Sequence, residues 1–302
     1  MIDPVPLRVA TRGSRLARWQ AQRIAELLDA PAELVVIATE GDLRTDVPIH
    51  LLGGTGVFVK EVQAAVLDGR ADLAVHSAKD LPSETPPGLV LAAIPERADP
   101  RDALVGCSLE ALPQGARVGT GAVRRRAQLA HVRPDLRFGE LRGNLDTRLA
   151  RASEYDAVVV AVAALDRLQL QPDELHPLDP AVMLPQVAQG ALAVECRVDD
   201  QRALDALGRI DAVAIHREVA AERAFLGSIG GGCDLPCGAL ARTVADGSLV
   251  LDVLLAGLDG STVLRELVGG TIDESPADLG ARAGRRLLDE HGGSALLVEL
   301  RS

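Results

Sequence analysis

The chain has 302 residues, 47% hydrophobic and 25% charged, with a net charge of -11 and a mean hydropathy of +0.14. That length and apolar content predict two or three domains, each with its own core. Aromatic residues at 2% exclude a base-stacking platform for single strands, and an acidic pI near 5.1 counts against nonspecific nucleic-acid binding.

The opening Met1-Ile-Asp-Pro-Val-Pro-Leu7 has neither a basic leader nor a continuous apolar stretch, so no signal peptide is read there. Leu7 to Ala10 then reads as a strand, followed by Ala17, Ala21, Ile24 and Leu28 at helical spacing. Leu34 to Ala38 is the next strand. A glycine turn, Gly53-Gly54-Thr55-Gly56, leads into a helix through Val57, Glu61 and Ala65 that Asp68-Gly69 closes. Leu73 to His76 and Leu89 to Ile94 are buried strands. The polar, proline-punctuated stretch from Pro95 to Asp102 predicts a crossing into a second domain.

The same rhythm restarts there, with a strand near Val118, a helix from Val123 to Ala130, a strand Leu136 to Glu140 and a helix from Asn144. Ala157 to Val162 is a strand running into a helix that ends at Leu168; the apolar run here is too short to span a bilayer, which predicts a cytoplasmic protein. Strands alternating with helices predict parallel α/β sheets. Gly190 to Cys196 reads as a further strand whose sheet the periodicity does not assign. A helix from about Asp211 to Phe225 runs on to Gly230-Gly231-Gly232-Cys233. Strands Leu240 to Val244, Leu249 to Leu255 and Ser261 to Leu267, a helix Ala277 to Glu290 and a strand Ala295 to Val298 outline a small α+β domain.

Arginines concentrate in one stretch, Arg124-Arg125-Arg126 followed by Arg142 and Arg148, on an otherwise acidic chain. A guanidinium is a planar fork of donors matched to carboxylate and phosphate, so several together predict a ligand with several anionic groups; the alternative is solvated surface charge. Thr11-Arg12-Gly13-Ser14 stands at a strand-to-helix turn, where helix N-termini favour anions, although Ser14 also fits as a simple cap. His76-Ser77-Ala78-Lys79-Asp80-Leu81-Pro82 places a cation, a carboxylate and a hydroxyl at a strand end; taken alone it reads as an ordinary loop ion pair, and it gains weight because Lys79 is one of only two lysines. Of the cysteines, Cys107 and Cys237 show no partner in the pattern and Cys196 lies inside an apolar strand. Cys233 follows three glycines, as an attachment thiol or nucleophile on a pliant loop would; the alternative is an inert cysteine. No metal site is expected, because no histidine accompanies Cys233 and Cys237.

Together, Thr11-Arg12-Gly13-Ser14, His76 to Pro82, Leu141-Arg142-Gly143-Asn144 with Thr147-Arg148, Pro185 to Ala191 around Gln189, and Gly231-Gly232-Cys233 resemble the porphobilinogen deaminase family in order along nearly the whole chain. The resemblance implies two domains like those of periplasmic binding proteins with a cleft between them, plus a small α+β C-terminal domain. Its boundaries are 1–97 with 190–208, then 98–189, then 209–302. It further implies a dipyrromethane cofactor joined to Cys233 by a thioether, porphobilinogen as the substrate, and a monomer acting without nucleic acid or membrane. By the same resemblance Asp80 and Lys79 are catalytic, with the Asp80 anion stabilising the cation formed when ammonia leaves. Arg12, Ser14, Ser77, Lys79, Thr120, Arg124, Arg125, Arg142, Arg148, Arg167 and Gln189 are then the residues that bind cofactor and substrate carboxylates.

The chain departs from the family pattern at Gly121 and Ala122, where two serines are common, and at Ala164 and Thr55. A rival reading is a non-catalytic receptor for a small polycarboxylate or phosphate, but such a receptor gains nothing from a carboxylate at Asp80. A thiol acyltransferase would need a base near Cys233, and no nearby histidine supplies one.

Overall fold

A computed structural model of the chain describes residues 5–38, 59–232 and 235–301. In chain order the elements are β1 (Leu7–Arg12), α1 (Arg15–Leu27), β2 (Ala32–Ile37), α2 (Lys60–Leu67), β3 (Leu73–Ser77), β4 (Leu89–Ala93), β5 (Asp102–Val105) and β6 (Arg117–Gly119). There follow α3 (Val123–Val132), β7 (Arg137–Gly139), α4 (Leu145–Ala150), β8 (Ala157–Ala161), α5 (Val162–Leu168), β9 (Leu175–Pro177), β10 (Leu192–Arg197) and α6 (Gln201–Ile210). The last are α7 (Val213–Ser228), β11 (Cys237–Thr243), β12 (Leu249–Ala256), β13 (Val263–Gly269), α8 (Pro276–Asp289) and α9 (Gly293–Arg301). The chain divides into two compact units, Met1–Ala98 with Ala191–His216, and Asp99–Gly190 with Arg217–Ser302.

The first unit holds a sheet in the order β2-β1-β3-β10-β4, with β1 parallel to β2 and β3, and β10 antiparallel to β3 and β4. Successive strand residues face opposite sides. Leu7, Val9, Leu73 and Val75 therefore pack with Ala21 and Ile24 of α1 and Leu207 of α6, while Ala10 and Ala74 pack with Val62, Ala65 and Val66 of α2. Helices thus cover both faces.

The second unit holds a sheet in the order β7-β6-β8-β5-β9, with β6 parallel to β7 and β8 and β5 antiparallel to β8 and β9. Ala157 and Val159 of β8 face Leu129 of α3, and Val158 and Val160 face Leu165 of α5. The same unit contains the antiparallel sheet β11-β12-β13. Its Leu240, Leu254 and Ala256 share a core with Ala127 of α3 and with Leu184, so this sheet docks on the helix that carries the arginines. Gly260 makes that approach feasible: its φ is +76°, and a Cβ there would lie 2.7 Å from the His131 backbone nitrogen.

Three expectations change. The sheets are mixed, because a strand buried on both faces reads as one apolar run whichever way its neighbours point. The segment Ala295 to Val298 is part of helix α9: Leu296 and Leu297 are both buried and Val298 is 72% exposed, a pattern no alternating strand gives. β5, β9 and α6 appear where no element was read. α6 carries its own start signal, since Asp200 accepts a hydrogen bond from the Ala203 N–H at 3.0 Å. The turn Gly53 to Gly56, with Thr55, lies outside the described residues. Among the described residues no helix is long and apolar enough to cross a membrane.

Candidate active site

In the first unit, β1 and β3 are adjacent and parallel, so both release their chains at the same sheet edge. Arg12 is the last residue of β1, and Ser77 is the last of β3. Ala78, Lys79 and Asp80 form a single 3-10 turn. Its base is tied down where the Ala78 N–H donates to the Ala191 carbonyl at 3.0 Å and the Leu81 N–H to the Ala78 carbonyl at 3.3 Å. Ser14 caps α1 by accepting from the Ala17 N–H at 3.3 Å, which is the simple capping role.

Two contacts below this edge were not read from the sequence. Gln20 of α1 donates to the Ser77 hydroxyl at 2.7 Å, coupling the helix to the loop. His76 is 5% exposed, with Nε2 3.1 Å from Glu195 Oε2, and Gln63 of α2 donates to that same oxygen at 2.8 Å. Lys79 and Asp80 therefore project from a backbone held by hydrogen bonds on both sides.

In the second unit, Thr120 follows β6, Arg142 follows β7 and Arg167 lies on α5 after β8. These strands are parallel, and β5 runs opposite, pairing its first residue, Asp102, with Ala161 at the end of β8. Asp102 therefore joins the others at one sheet edge. Arg124 and Arg125, at 4% and 5% exposure, are not a solvated face. Arg124 donates to Asp102 Oδ2 at 2.7 Å and to the Leu184 carbonyl at 2.7 Å. Arg125 donates to Asp102 Oδ1 through Nε at 3.1 Å and Nη2 at 2.7 Å, and to the Val159 carbonyl at 3.0 Å. Burial opposes ionisation of Asp102, but the charges of Arg124 and Arg125 and the bonds from Arg124 and Gln189 outweigh it and hold the carboxyl well below the usual carboxylate range.

Arg142 and Arg148 are only partly buried. Arg142 Nε meets Glu140 at 3.3 Å, and its Nη1 is buried with no hydrogen-bond partner among the described residues. Arg148 sits in the last turn of α4, with Nε donating to the Gly143 carbonyl at 2.9 Å, and Asn144 caps that helix by accepting from the Thr147 N–H at 2.9 Å. A buried guanidinium nitrogen without a partner among the described residues fits a carboxylate-bearing group such as a dipyrromethane.

The loop 185–190 binds the edge together. Ala188 adopts a left-handed φ of 59°, and its N–H donates to Glu222 of α7 at 2.6 Å. Gln189 can then donate to Asp102 at 3.0 Å and to the Pro100 carbonyl at 2.8 Å, while Arg167 donates to the Gly190 carbonyl at 2.6 Å. Glu222 also accepts from the Ala241 N–H at 2.8 Å, linking the loop to β11. In the sequence Asp102 reads only as part of the polar crossing, and Glu222 only as part of the run Ala221-Glu222-Arg223-Ala224 that extends the family resemblance; each stands next to an arginine, which suggests a local ion pair and not the distant partners found here.

Thr120 accepts from the Ala122 N–H at 3.2 Å, and Ala122 occupies the α3 N-cap position with no side-chain bond to offer. Gly121 has no left-handed φ, so its lack of a side chain is not forced by the backbone, while Ala164 is half-buried on α5. Cys233 lies outside the described residues. Of the other thiols, Cys196 and Cys237 are buried, and burial pushes Cys196 up to about 11.

Residues 7–205 match the family model described as porphobilinogen deaminase, dipyromethane cofactor binding domain, and residues 216–289 match the porphobilinogen deaminase C-terminal domain. A porphobilinogen deaminase of Syntrophotalea carbinolica is 45% identical over 97% of this chain and 96% of its own length. One from Acidothermus cellulolyticus is 48% identical over 93% of this chain and 88% of its own. A solved periplasmic binding protein of Salmonella typhimurium aligns with a TM-score of 0.38 at 11% identity, covering 70% of this chain and 94% of that one, a likeness too slight to carry an argument. With both domain models matched and relatives at this identity along almost the entire length, the chain belongs to the porphobilinogen deaminase family.

Proposed function

We propose that the chain is a transferase that deaminates porphobilinogen and joins four units head to tail into the linear tetrapyrrole hydroxymethylbilane, in the cytoplasm and as a monomer. The observation that carries this reading is the concentration of guanidinium groups at one sheet edge, with Arg142 Nη1 buried and without a partner among the described residues. A substrate bearing an acetate and a propionate, lengthening by one unit at a time, needs that many forks. Family membership supports the same reading.

In this proposal Arg12, Ser14, Ser77, Lys79, Thr120, Arg124, Arg125, Arg142, Arg148, Arg167 and Gln189 hold the carboxylates of a dipyrromethane and of the substrate. The dipyrromethane, attached at Cys233, supplies the pyrrole carbon to which the first substrate unit is joined. Asp80 faces the pyrrole N–H groups, and its negative charge favours the substrate cation left as ammonia departs. Lys79 anchors a substrate carboxylate beside it. The three-domain division at 1–97 with 190–208, 98–189 and 209–302 belongs to this proposal as well.

Intact-protein mass spectrometry tests it. The purified chain should be heavier than its sequence by two deaminated porphobilinogen units, and Cys233→Ser should lack that mass and turnover. An active protein without the adduct, or an adduct mapped to Cys107, Cys196 or Cys237, overturns the assignment.

A further inference from the structure

We propose that Asp102 is a positioning residue: its carboxylate sets the Arg124 and Arg125 guanidinium planes and the Gln189 amide in the arrangement that receives ligand carboxylates. This rests on the reading of the site as one for a polycarboxylate pyrrole. Asp102 is fully buried and accepts from all three side chains, Arg124 on Oδ2 and Arg125 and Gln189 on Oδ1. Each of the three is pinned a second time to the backbone, Arg124 at Leu184, Arg125 at Val159 and Gln189 at Pro100. With two points of attachment each, none of them is free to turn.

Charge alone argues against a carboxylate in this place. Two guanidinium groups attract anions more strongly without a negative charge between them, so Asp102 lowers the net positive charge that a ligand meets. What it adds is geometry. A guanidinium has five N–H donors, and these bonds engage two on Arg124 and three on Arg125, so donors remain on both groups. Holding long side chains in their binding rotamers before the ligand arrives removes an ordering cost from binding. Positioning and net charge therefore predict opposite signs for the loss of Asp102.

The test compares wild type, Asp102→Asn and Asp102→Glu in the full chain, reading cofactor occupancy by intact mass, KM and kcat for porphobilinogen, and thermal unfolding. Asp102→Glu keeps the charge balance and displaces the carboxylate by one methylene. Overpacking this buried site should lower the melting temperature by several degrees, and in the folded protein KM should rise about tenfold and occupancy fall, with kcat of the loaded fraction changing less. Asp102→Asn should shift KM in the same direction although the site becomes more positive. Wild-type KM and occupancy in either folded variant, or a lowered KM in Asp102→Asn, overturns the proposal. Should both variants fail to fold, the guanidinium nitrogen resonances of wild-type Arg124 and Arg125 decide: hindered rotation supports the fixed arrangement, and free rotation overturns it. A wild type with neither adduct nor turnover refutes the functional reading instead, and leaves the resonance measurement intact.

Discussion

Replacing arginines of the cluster one at a time should separate them into two classes. Arg125→Leu deletes both bonds from Arg125 to Asp102 and the bond to Val159, all in buried surroundings, and leaves Asp102 with Arg124 as its counter-charge among the described residues. Breaking a buried pair costs roughly 3–5 kcal/mol when the charge left behind is unpaired, and because Asp102 keeps Arg124 the loss should fall at about the lower end of that range. At about 2–4 °C per kcal/mol for a domain of this size, the melting temperature should fall on the order of 10 °C. Arg142→Leu deletes a 3.3 Å contact to Glu140 between side chains 36% and 58% exposed. Such a pair contributes about 0–1 kcal/mol, so the melting temperature should barely move while cofactor loading or elongation fails. Thermal unfolding followed by circular dichroism, with intact mass and turnover on the same samples, reads both. Arg133→Leu is the control: its guanidinium ties Asp135 and the carbonyls of Leu109, Leu112 and Pro113, and it should leave kcat and KM unchanged. If Arg125→Leu melts within about 2 °C of wild type, or Arg142→Leu falls as far as Arg125→Leu, the division into arginines that also hold the fold and arginines that serve the ligand alone is wrong.

Asp80→Asn keeps the shape of the 3-10 turn and removes its negative charge, so turnover should fall roughly 10²–10⁴-fold with the melting temperature unchanged; near-normal turnover removes Asp80 from the mechanism. An anion receptor would instead bind its ligand more tightly in that variant. Ala122→Ser places a hydroxyl at an N-cap with φ -93° and ψ 117°, where it can accept from the open N–H groups of the first turn, and should stabilise the protein by about 1 kcal/mol in thermal unfolding. Gly121→Ser alongside it meets no left-handed φ, but its Cβ would lie 3.2 Å from the Leu141 carbonyl oxygen, so that backbone must give way slightly; the double variant should fold and load, with part of the gain from Ala122→Ser lost. Asp72 and Asp102 are both held below their ordinary range by arginine partners that outweigh the effect of burial. A depressed folded-state pKa stabilises fully above the unfolded value and is lost as pH falls, so stability should be flat from about pH 5 to 8 and decline below about pH 4; a decline beginning near neutrality contradicts this.

Periodicity placed β1, α1, β3, α3, β8 and the C-terminal strands close to where they stand, because a helix stripe or a buried strand writes its own spacing into the chain. The order of short motifs was also enough for the family, since each motif combines a turn with a charge that few sequences repeat. What the chain order could not carry is the pairing of elements distant in sequence. β10 lies between β3 and β4, and Gly190 to Cys196 reads the same in any sheet. Helix α9 reads as a strand in the sequence because four apolar residues fit both periods until the segment packs beside α8 with Leu296 and Leu297 buried. The difference between Arg124 or Arg125 and Arg142 is likewise invisible in a row of arginines. It arises only when β5 and β8 pair antiparallel and set Asp102, more than twenty residues upstream, beneath the first turn of α3, where a buried carboxylate must find cations.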